Sequence, residues 1–352
     1  MTSRVRLASV GLGRWARVLA RAARRGDAIE LFSCFSRSAE RRAAFQEEFG
    51  VPRSAATYEE LLADPDVEGV ILTTPNDTHK DLITMGLEAG KAVYTDKPIA
   101  QTLEDALAVK EVVERTGGVL AVGHSARRLA GSRVMKKLID DGTVGGVSMV
   151  EANFSNERGL ELTPDTWRWY LSKTPGGPLI QLGVHHADNL QYLLGPVAAV
   201  SAHTRKLFTK AEVPDTTMAI LEFESGALGY LGCGWASPGI YQIRLQGSKL
   251  NLMYDLDFSH WDDAHEADAW SKLVSQQYGQ QERSPVELPA TDMFREQLEE
   301  FARAARGQAE VEVQVDDAIR ALAVVHTAIE SNRLNGRAVE VKPFLDSLRL
   351  PS

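Results

Sequence analysis

A chain of 352 residues, 44% hydrophobic and 25% charged, is long enough for two cores and has the make-up of an ordinary folded protein, neither disordered nor fibrous. Its 39 Lys and Arg against 48 Asp and Glu leave a formal net charge of -9, which disfavours nucleic-acid or anionic-membrane partners, since both need a broad basic face. The two cysteines, Cys34 and Cys233, exclude a disulfide framework, and no stretch approaches the ~18 uninterrupted apolar residues of a membrane span. The first residues lack the apolar core of a signal peptide, so a reducing cytoplasm is the expected compartment.

Short apolar runs at residues 4–10, 29–35, 67–73, 92–95 and 119–122 alternate with stretches at 15–25, 39–49, 78–89 and 103–115 whose apolar residues recur every three to four positions. That alternation is the pattern of βαβ units and predicts a parallel sheet, with a further short helix at 58–63. After His124 the texture changes. A helix at 132–140 is broken by Gly-Thr-Val-Gly-Gly, and strand-like runs follow at 147–154, 197–204, 217–223, 227–235, 240–247 and 249–254. Short turns such as Glu224-Ser225-Gly226-Ala227 join them, which predicts a mainly antiparallel sheet. A helix interrupts at 184–194, stopped by Gly195-Pro196, and helices return at 291–306 and 315–332. The stretch from Asp255 to Asp268 carries six acidic residues with His260 and His265, but no ligand spacing repeats in it, so it reads as a solvated face and no metal is expected.

The turn after the first run reads Gly11-Leu12-Gly13-Arg14-Trp15-Ala16, a GxGxxA pattern between a strand and a helix. The first glycine makes a tight turn, the second lets backbone approach a pyrophosphate, and the small third residue lets helix and strand pack closely. The helix N-terminus then offers N–H groups and a positive dipole end to phosphate. The first domain therefore reads as a Rossmann domain that binds a dinucleotide. At the end of the second run, where an NAD site places an acid on the ribose hydroxyl, the chain has Ser36-Arg37-Ser38 and then Arg41 and Arg42. Guanidinium groups pair with a 2′-phosphate, so NADP is the expected cofactor, with NAD as the alternative.

Two further stretches sharpen the reading. Thr73-Thr74-Pro75-Asn76-Asp77-Thr78-His79 follows one strand run, and Tyr94-Thr95-Asp96-Lys97-Pro98 closes the next. They resemble the "TPN..H" and "EKP" segments of the Gfo/Idh/MocA oxidoreductase family. The later Gly176-Gly177 and Gly183-Val184-His185-His186-Ala187-Asp188 extend the resemblance to essentially the whole chain. It implies that Lys97 sits beside the nicotinamide and contacts the reacting hydroxyl, that the Lys97–Pro98 peptide is cis, and that His185 is the general base or acid. Thr74, Pro75, Asn76, His79 and Asp96 then belong with the cofactor, His79 supporting the nicotinamide loop. Asp96 stands where relatives carry Glu, and Gln181 where inositol-specific members carry Asp. A lysine at the carboxyl end of a parallel strand lies where open α/β sheets bind ligands, and an imidazole titrating near neutrality suits removal of a hydroxyl proton.

Substrate contacts are expected from Lys97 and His185 together with Arg128, Trp167, Arg168 and Gln181. His185 and Asp188 lie three apart on a helix and could bind a metal, but no ligand motif in another segment joins them. His186 reads as a packed helix residue. The expected fold is an α/β Rossmann domain with a parallel sheet over residues 1–124, plus an α+β C-terminal domain with an open, mainly antiparallel sheet over 125–352. The expected function is an NADP-dependent, reversible alcohol–carbonyl oxidoreductase acting on a sugar, polyol or related cyclic hydroxylated compound held between the domains. Three other readings are a dehydrogenase of an aromatic-acid dihydrodiol or hemiacetal, a cofactor-retaining glycosidase or sugar–sugar oxidoreductase, and a non-enzymatic dinucleotide sensor. Apolar strands such as 227–235 and the family resemblance imply a homodimer or homotetramer through the C-terminal sheet.

Overall fold

Five short strands whose residues are apolar almost throughout fold together at the start of the chain. The computed structural model describes residues 4–257 and 267–348. Strands β1 (Val5–Val10), β2 (Ile29–Phe35), β3 (Gly69–Leu72), β4 (Ala92–Asp96) and β5 (Leu120–Gly123) form one parallel sheet in the order β2-β1-β3-β4-β5. Leu7, Val70 and Val93 at their centres are fully buried, because helices cover both faces of such a sheet. The connecting helices are α1 (Arg14–Arg25), α2 (Ala39–Phe49), α3 (Tyr58–Ala63), α4 (His79–Glu88) and α5 (Leu103–Thr116). Ser38, Thr57 and Thr102 cap α2, α3 and α5 by accepting a backbone N–H three residues on. Helix α1 instead starts at Gly13 and has no side-chain cap. The strand order reverses between β1 and β3, the position at which doubly wound sheets bind ligands beyond their carboxyl ends.

The second part of the chain supplies α6 (Ala130–Asp140), β6 (Val147–Ser155), α7 (Arg158–Glu161), α8 (Val184–Leu194), β7 (Val197–Arg205), β8 (Thr216–Phe223), β9 (Leu228–Gly234), β10 (Ile240–Gly247), β11 (Leu250–Leu256), β12 (Ser271–Gln277) and β13 (Ser284–Val286). It ends with α9 (Met293–Ala305), α10 (Val315–Arg333), β14 (Val339–Glu340) and α11 (Val341–Ser347). One nine-stranded sheet runs β13-β12-β11-β10-β6-β9-β8-β7-β14. All its pairs are antiparallel except β6 with β9. In β8 the buried Thr217, Ala219, Leu221 and Phe223 alternate with outward Met218, Ile220 and Glu222, so one face is covered and the other open. Helix α8 belongs to the covered face, where Phe154 of β6 meets both of its histidines.

The chain divides into one unit of Met1–Ser125 with Asp292–Ala318 and another of Ala126–Thr291 with Ile319–Ser352. Residues 292–318 therefore group with the first unit, although they follow the expected boundary at 124. Helix α9 packs on α1. Phe294 meets Trp15 edge-on at 5.2 Å, Arg25 donates to both carboxylate oxygens of Asp292 at 2.6 and 3.0 Å, and Arg306 forks onto Glu68 at 2.8 and 3.0 Å. Strands β12 and β13 also differ from expectation. Their sequences, Ser-Lys-Leu-Val-Ser-Gln-Gln and Ser-Pro-Val, are polar because they close one edge of the sheet. Most of the acidic run, with His260 and His265, lies outside the described residues. Among the described residues no three His, Cys, Asp or Glu are grouped to hold a metal, and no helix is long and apolar enough to cross a membrane.

Candidate active site

In the first unit the Gly-rich turn fits its expected chemistry in detail. Gly11 has φ +84°, and a Cβ there would come within 2.7 Å of Thr74 Cγ2 and 3.0 Å of the Thr73 carbonyl, so any side chain would be both strained and crowded. Thr73 closes the approach from the other side by donating its hydroxyl to the Gly11 carbonyl at 2.6 Å. Leu12 turns into the core, whereas Gly13 and Arg14 are exposed, and a Cβ on Gly13 would meet nothing within 4 Å. Next to this turn Pro75 leads into a 3-10 turn in which Asn76 is buried, and its amide nitrogen has no hydrogen-bond partner. A buried orphan donor, an uncapped helix N-terminus and open space over Gly13 together fit a phosphate-bearing, hydrogen-bonding ligand. These residues can hold a dinucleotide.

At the end of β2, Arg37 and Arg41 are exposed, and Ser36 is half-buried. Arg42 differs from its expected place in the phosphate cluster, since its Nη1 donates to the Ser36 carbonyl at 2.6 Å and so braces the turn. At the end of β4, the Lys97–Pro98 peptide is cis. Trp15 donates its indole N–H to Asp96 at 3.0 Å, so this residue of the fingerprint turn spends its polar atom on the protein itself. Burial pushes the Asp96 carboxyl above the usual carboxylate range, against the opposing charges of Lys97 and His79 and the bond from Trp15. His79 is buried with one ring nitrogen 2.8 Å from the Pro98 carbonyl and the other 3.0 Å from the Thr74 carbonyl.

The second unit gathers the other candidates around α8. The chain enters that helix through a π-helical segment, Leu179–Gly183, in which every residue is buried, Gln181 included. Such segments are rare and recur at functional sites, where they turn a side chain out of the regular helical register. Arg168 stacks over the Trp167 ring at 4.2 Å and donates Nε to Gln181 Oε1 at 3.2 Å, so three expected substrate contacts form one cluster. His185 follows on α8, buried against Phe154 at 5.5 Å. Arg128 is buried in the same unit, its carbonyl accepting from Thr291 at 3.4 Å. His186 packs between Phe154 and Tyr241, and burial pushes its pKa down to about 4, so near neutrality it is an uncharged core residue.

One pair escaped the sequence reading. Arg127 grips Asp188 through Nε and Nη2 at 2.8 and 2.6 Å, both side chains being almost wholly buried. This commits Asp188 to a guanidinium and not to a metal. The available signal was the single acid of α8 together with an arginine in a short turn, and a separation of 61 positions in the chain hid their pairing.

Comparison with known proteins gives this geometry a lineage. Residues 5–124 match the family model described as the oxidoreductase family with an NAD-binding Rossmann fold, and residues 132–252 match that of the GFO/IDH/MocA C-terminal domain. The chain belongs to the GFO/IDH/MocA oxidoreductase family. A solved structure from Desulfitobacterium hafniense, provisionally described as an NADPH-dependent oxidoreductase, is 41% identical, with a TM-score of 0.94 over 98% of this chain and 100% of that one. The 1,5-anhydro-D-fructose reductase of Ensifer adhaerens is 34% identical over 56% of this chain and 60% of its own. The NAD(+)-dependent scyllo-inositol 2-dehydrogenase of Bacillus subtilis is 30% identical over 56% and 58%. The matched region thus spans about three-fifths of the length of these two curated relatives. The first of these models describes an NAD-binding Rossmann fold, which is the fold seen over residues 5–124.

Proposed function

We propose that the protein is an NADP-dependent oxidoreductase that interconverts an alcohol and a carbonyl on a sugar, polyol or related cyclic hydroxylated compound. The observation that carries this reading is the placement of Lys97 at the carboxyl end of β4, next to Asp96 and the cis Pro98, in the sheet whose β1–β3 reversal holds the glycine turn. Bound NADP supplies the hydride chemistry; the chain's own residues bind, orient and manage a proton. Lys97 hydrogen-bonds the reacting oxygen, and Lys97 and His185 together take or return its proton. Arg168, fixed by Trp167 and Gln181, orients another polar group of the substrate, and Arg128 supplies a further contact. The sugar and inositol activities in the names of the relatives support the substrate class. A panel of sugars, polyols and aromatic dihydrodiols, each with NADP and NAD and followed by nicotinamide absorbance, tests it. Turnover of cyclic polyhydroxy compounds is expected, and turnover of dihydrodiols alone would overturn the substrate class.

The cofactor preference rests on Arg37 and Arg41, two exposed guanidinium groups beside a turn that offers Ser36 and no carboxylate. Replacing both by Ala should weaken NADP binding about 10- to 100-fold, the loss of one charge-assisted contact or more, while leaving NAD binding nearly unchanged. Titration of each cofactor with the variant measures this, and equal weakening of both would rule out a 2′-phosphate role.

For the partner we commit to a second copy of this chain on the open face of the nine-stranded sheet. Met149, Met218, Ile220 and Leu228 are exposed there on three adjacent strands, and Glu151 and Arg244 on the same sheet offer charges of both signs for a self-complementary contact. Sedimentation should show an oligomer that Ile220→Lys with Met218→Lys converts to monomer. A wild-type chain that stays monomeric at all concentrations would end this proposal.

A further inference from the structure

The connection between β7 and β8, residues 206–215, is built around a carboxylate with no access to solvent. Asp215 is fully buried, and its two oxygens accept from the backbone N–H groups of Leu207, Phe208 and Thr209 and from the Thr216 hydroxyl, at distances between 2.6 and 3.1 Å. Burial alone would raise its pKa, but these bonds outweigh it and hold the carboxyl below the usual carboxylate range, so near neutrality it is ionised. Three successive N–H groups turned onto one anion fix the course of the loop. The backbone of Asp215 is tied as well, its N–H donating to the Arg205 carbonyl at 2.9 Å and its carbonyl accepting from Trp235 at 2.8 Å.

This loop grips the segment that follows the Trp167–Arg168 stack. The Glu212 N–H donates to the Trp169 carbonyl at 3.0 Å, and the Glu212 carboxylate accepts from the Leu171 N–H at 3.2 Å, so one residue holds the backbone on both sides of Tyr170. Farther along the same segment Gly177 turns at φ +55°, and a Cβ there would run into the Pro214 carbonyl oxygen. The stretch from Trp169 to Gly177 therefore rests on the loop at both ends. Arg168 precedes that stretch and Gln181 follows it, and the two bond each other at 3.2 Å.

We propose that Asp215 and Glu212 are positioning residues: the buried carboxylate makes the loop a rigid bracket, and Glu212 uses it to hold the 169–177 stretch so that Arg168 and Gln181 meet in the geometry that receives a polar group of the substrate. Neither acid touches substrate or cofactor, and both act through Arg168. Their effect falls on substrate binding, because Arg168 orients a part of the substrate other than the reacting carbon and the dinucleotide is held by the first unit. This deepens the role proposed for Arg168 and rests on it.

The test has two arms. The kinetic arm uses the compound of the sugar and polyol panel with the highest kcat/KM. Glu212 is exposed, so its replacement leaves the fold in place even where Asp215→Ala prevents folding. Glu212→Ala should raise KM about 3- to 10-fold, the worth of one hydrogen bond, with kcat and NADP affinity nearly unchanged, and Glu212→Gln, which keeps an acceptor, should restore it. Asp215→Asn keeps one oxygen for the three backbone N–H groups and turns its amide to the Thr216 hydroxyl, which can accept, so it should lie close to wild type where Asp215→Ala does not. In an Arg168→Ala background Glu212→Ala should add little, because its effect runs through the lost guanidinium. Independent, multiplying effects of Arg168→Ala and Glu212→Ala overturn the bracket, as does an unchanged KM in Glu212→Ala. The second arm needs no substrate. In protein labelled with 15N-arginine, Glu212→Ala should speed exchange of the Arg168 Nε–H with water about 10-fold, and Glu212→Gln should not. Exchange unchanged in Glu212→Ala overturns the bracket. An Arg168→Ala enzyme with wild-type KM would remove the role of Arg168 and leave the exchange result standing, so the two failures are distinguishable.

Discussion

Replacing Lys97 by Ala is expected to lower kcat by about 10²- to 10⁴-fold, the range general acid–base groups contribute, while NADP affinity changes by a few-fold at most. The asymmetry follows from position. The phosphate-binding features sit at the Gly11–Gly13 turn and the head of α1, whereas Lys97 stands at the end of β4, two strands from β1 in the sheet. Lys97→Arg separates charge from proton transfer. Arginine keeps a cation there but does not give up a proton at accessible pH, so it should restore substrate binding better than turnover. Steady-state kinetics with a parallel titration of cofactor fluorescence reads both quantities. A Lys97→Ala enzyme with full kcat would remove the lysine from the mechanism, and one that had lost NADP binding would move it to the cofactor site.

The parts of this molecule that were readable in the sequence are those set by local chemistry. The GxGxxA turn was legible because Gly11 adopts a backbone conformation other residues avoid, and no side chain fits against Thr73 and Thr74. The parallel strands were legible because burial on both faces removes polar residues from them, as in the Val-Ile-Leu run of β3. The β8–β9 hairpin was legible through Gly226, which turns at φ +88°.

What stayed hidden depends on distant partners. The apolar stripe of α9 announces that it is buried but not that α1 is what it covers, and Arg25 and Asp292 lie 267 residues apart. The polar strand β12, one in from the edge, carries no alternation that marks it. The π-helical entry to α8 leaves no periodicity of its own over five residues. In the site, residue identities were legible and their commitments were not. Trp15 turned out to hold Asp96, Arg42 the Ser36 carbonyl, and Asp188 the guanidinium of Arg127.

That last pair carries the largest expected effect on stability. Removing one partner, by Arg127→Ala or Asp188→Ala, should destabilise the second unit by roughly 3–5 kcal/mol, because the remaining charge is left buried with its main partner gone. Replacing both, Arg127→Met with Asp188→Leu, should restore most of the loss, since two apolar side chains of similar size do without the desolvation of two ions. Hydrogen exchange of the α8 amides is the suitable measurement, as a chain with two units need not unfold in one step. If the single and double variants lose protection equally, the pair matters through packing alone. Activity then tells what the ion pair is for. Asp188 sits one helical turn after His185 on the same face of α8. A double variant that regains stability but not kcat would show the salt bridge to be aiming the histidine, and one that regains both would show it to be an element of the core.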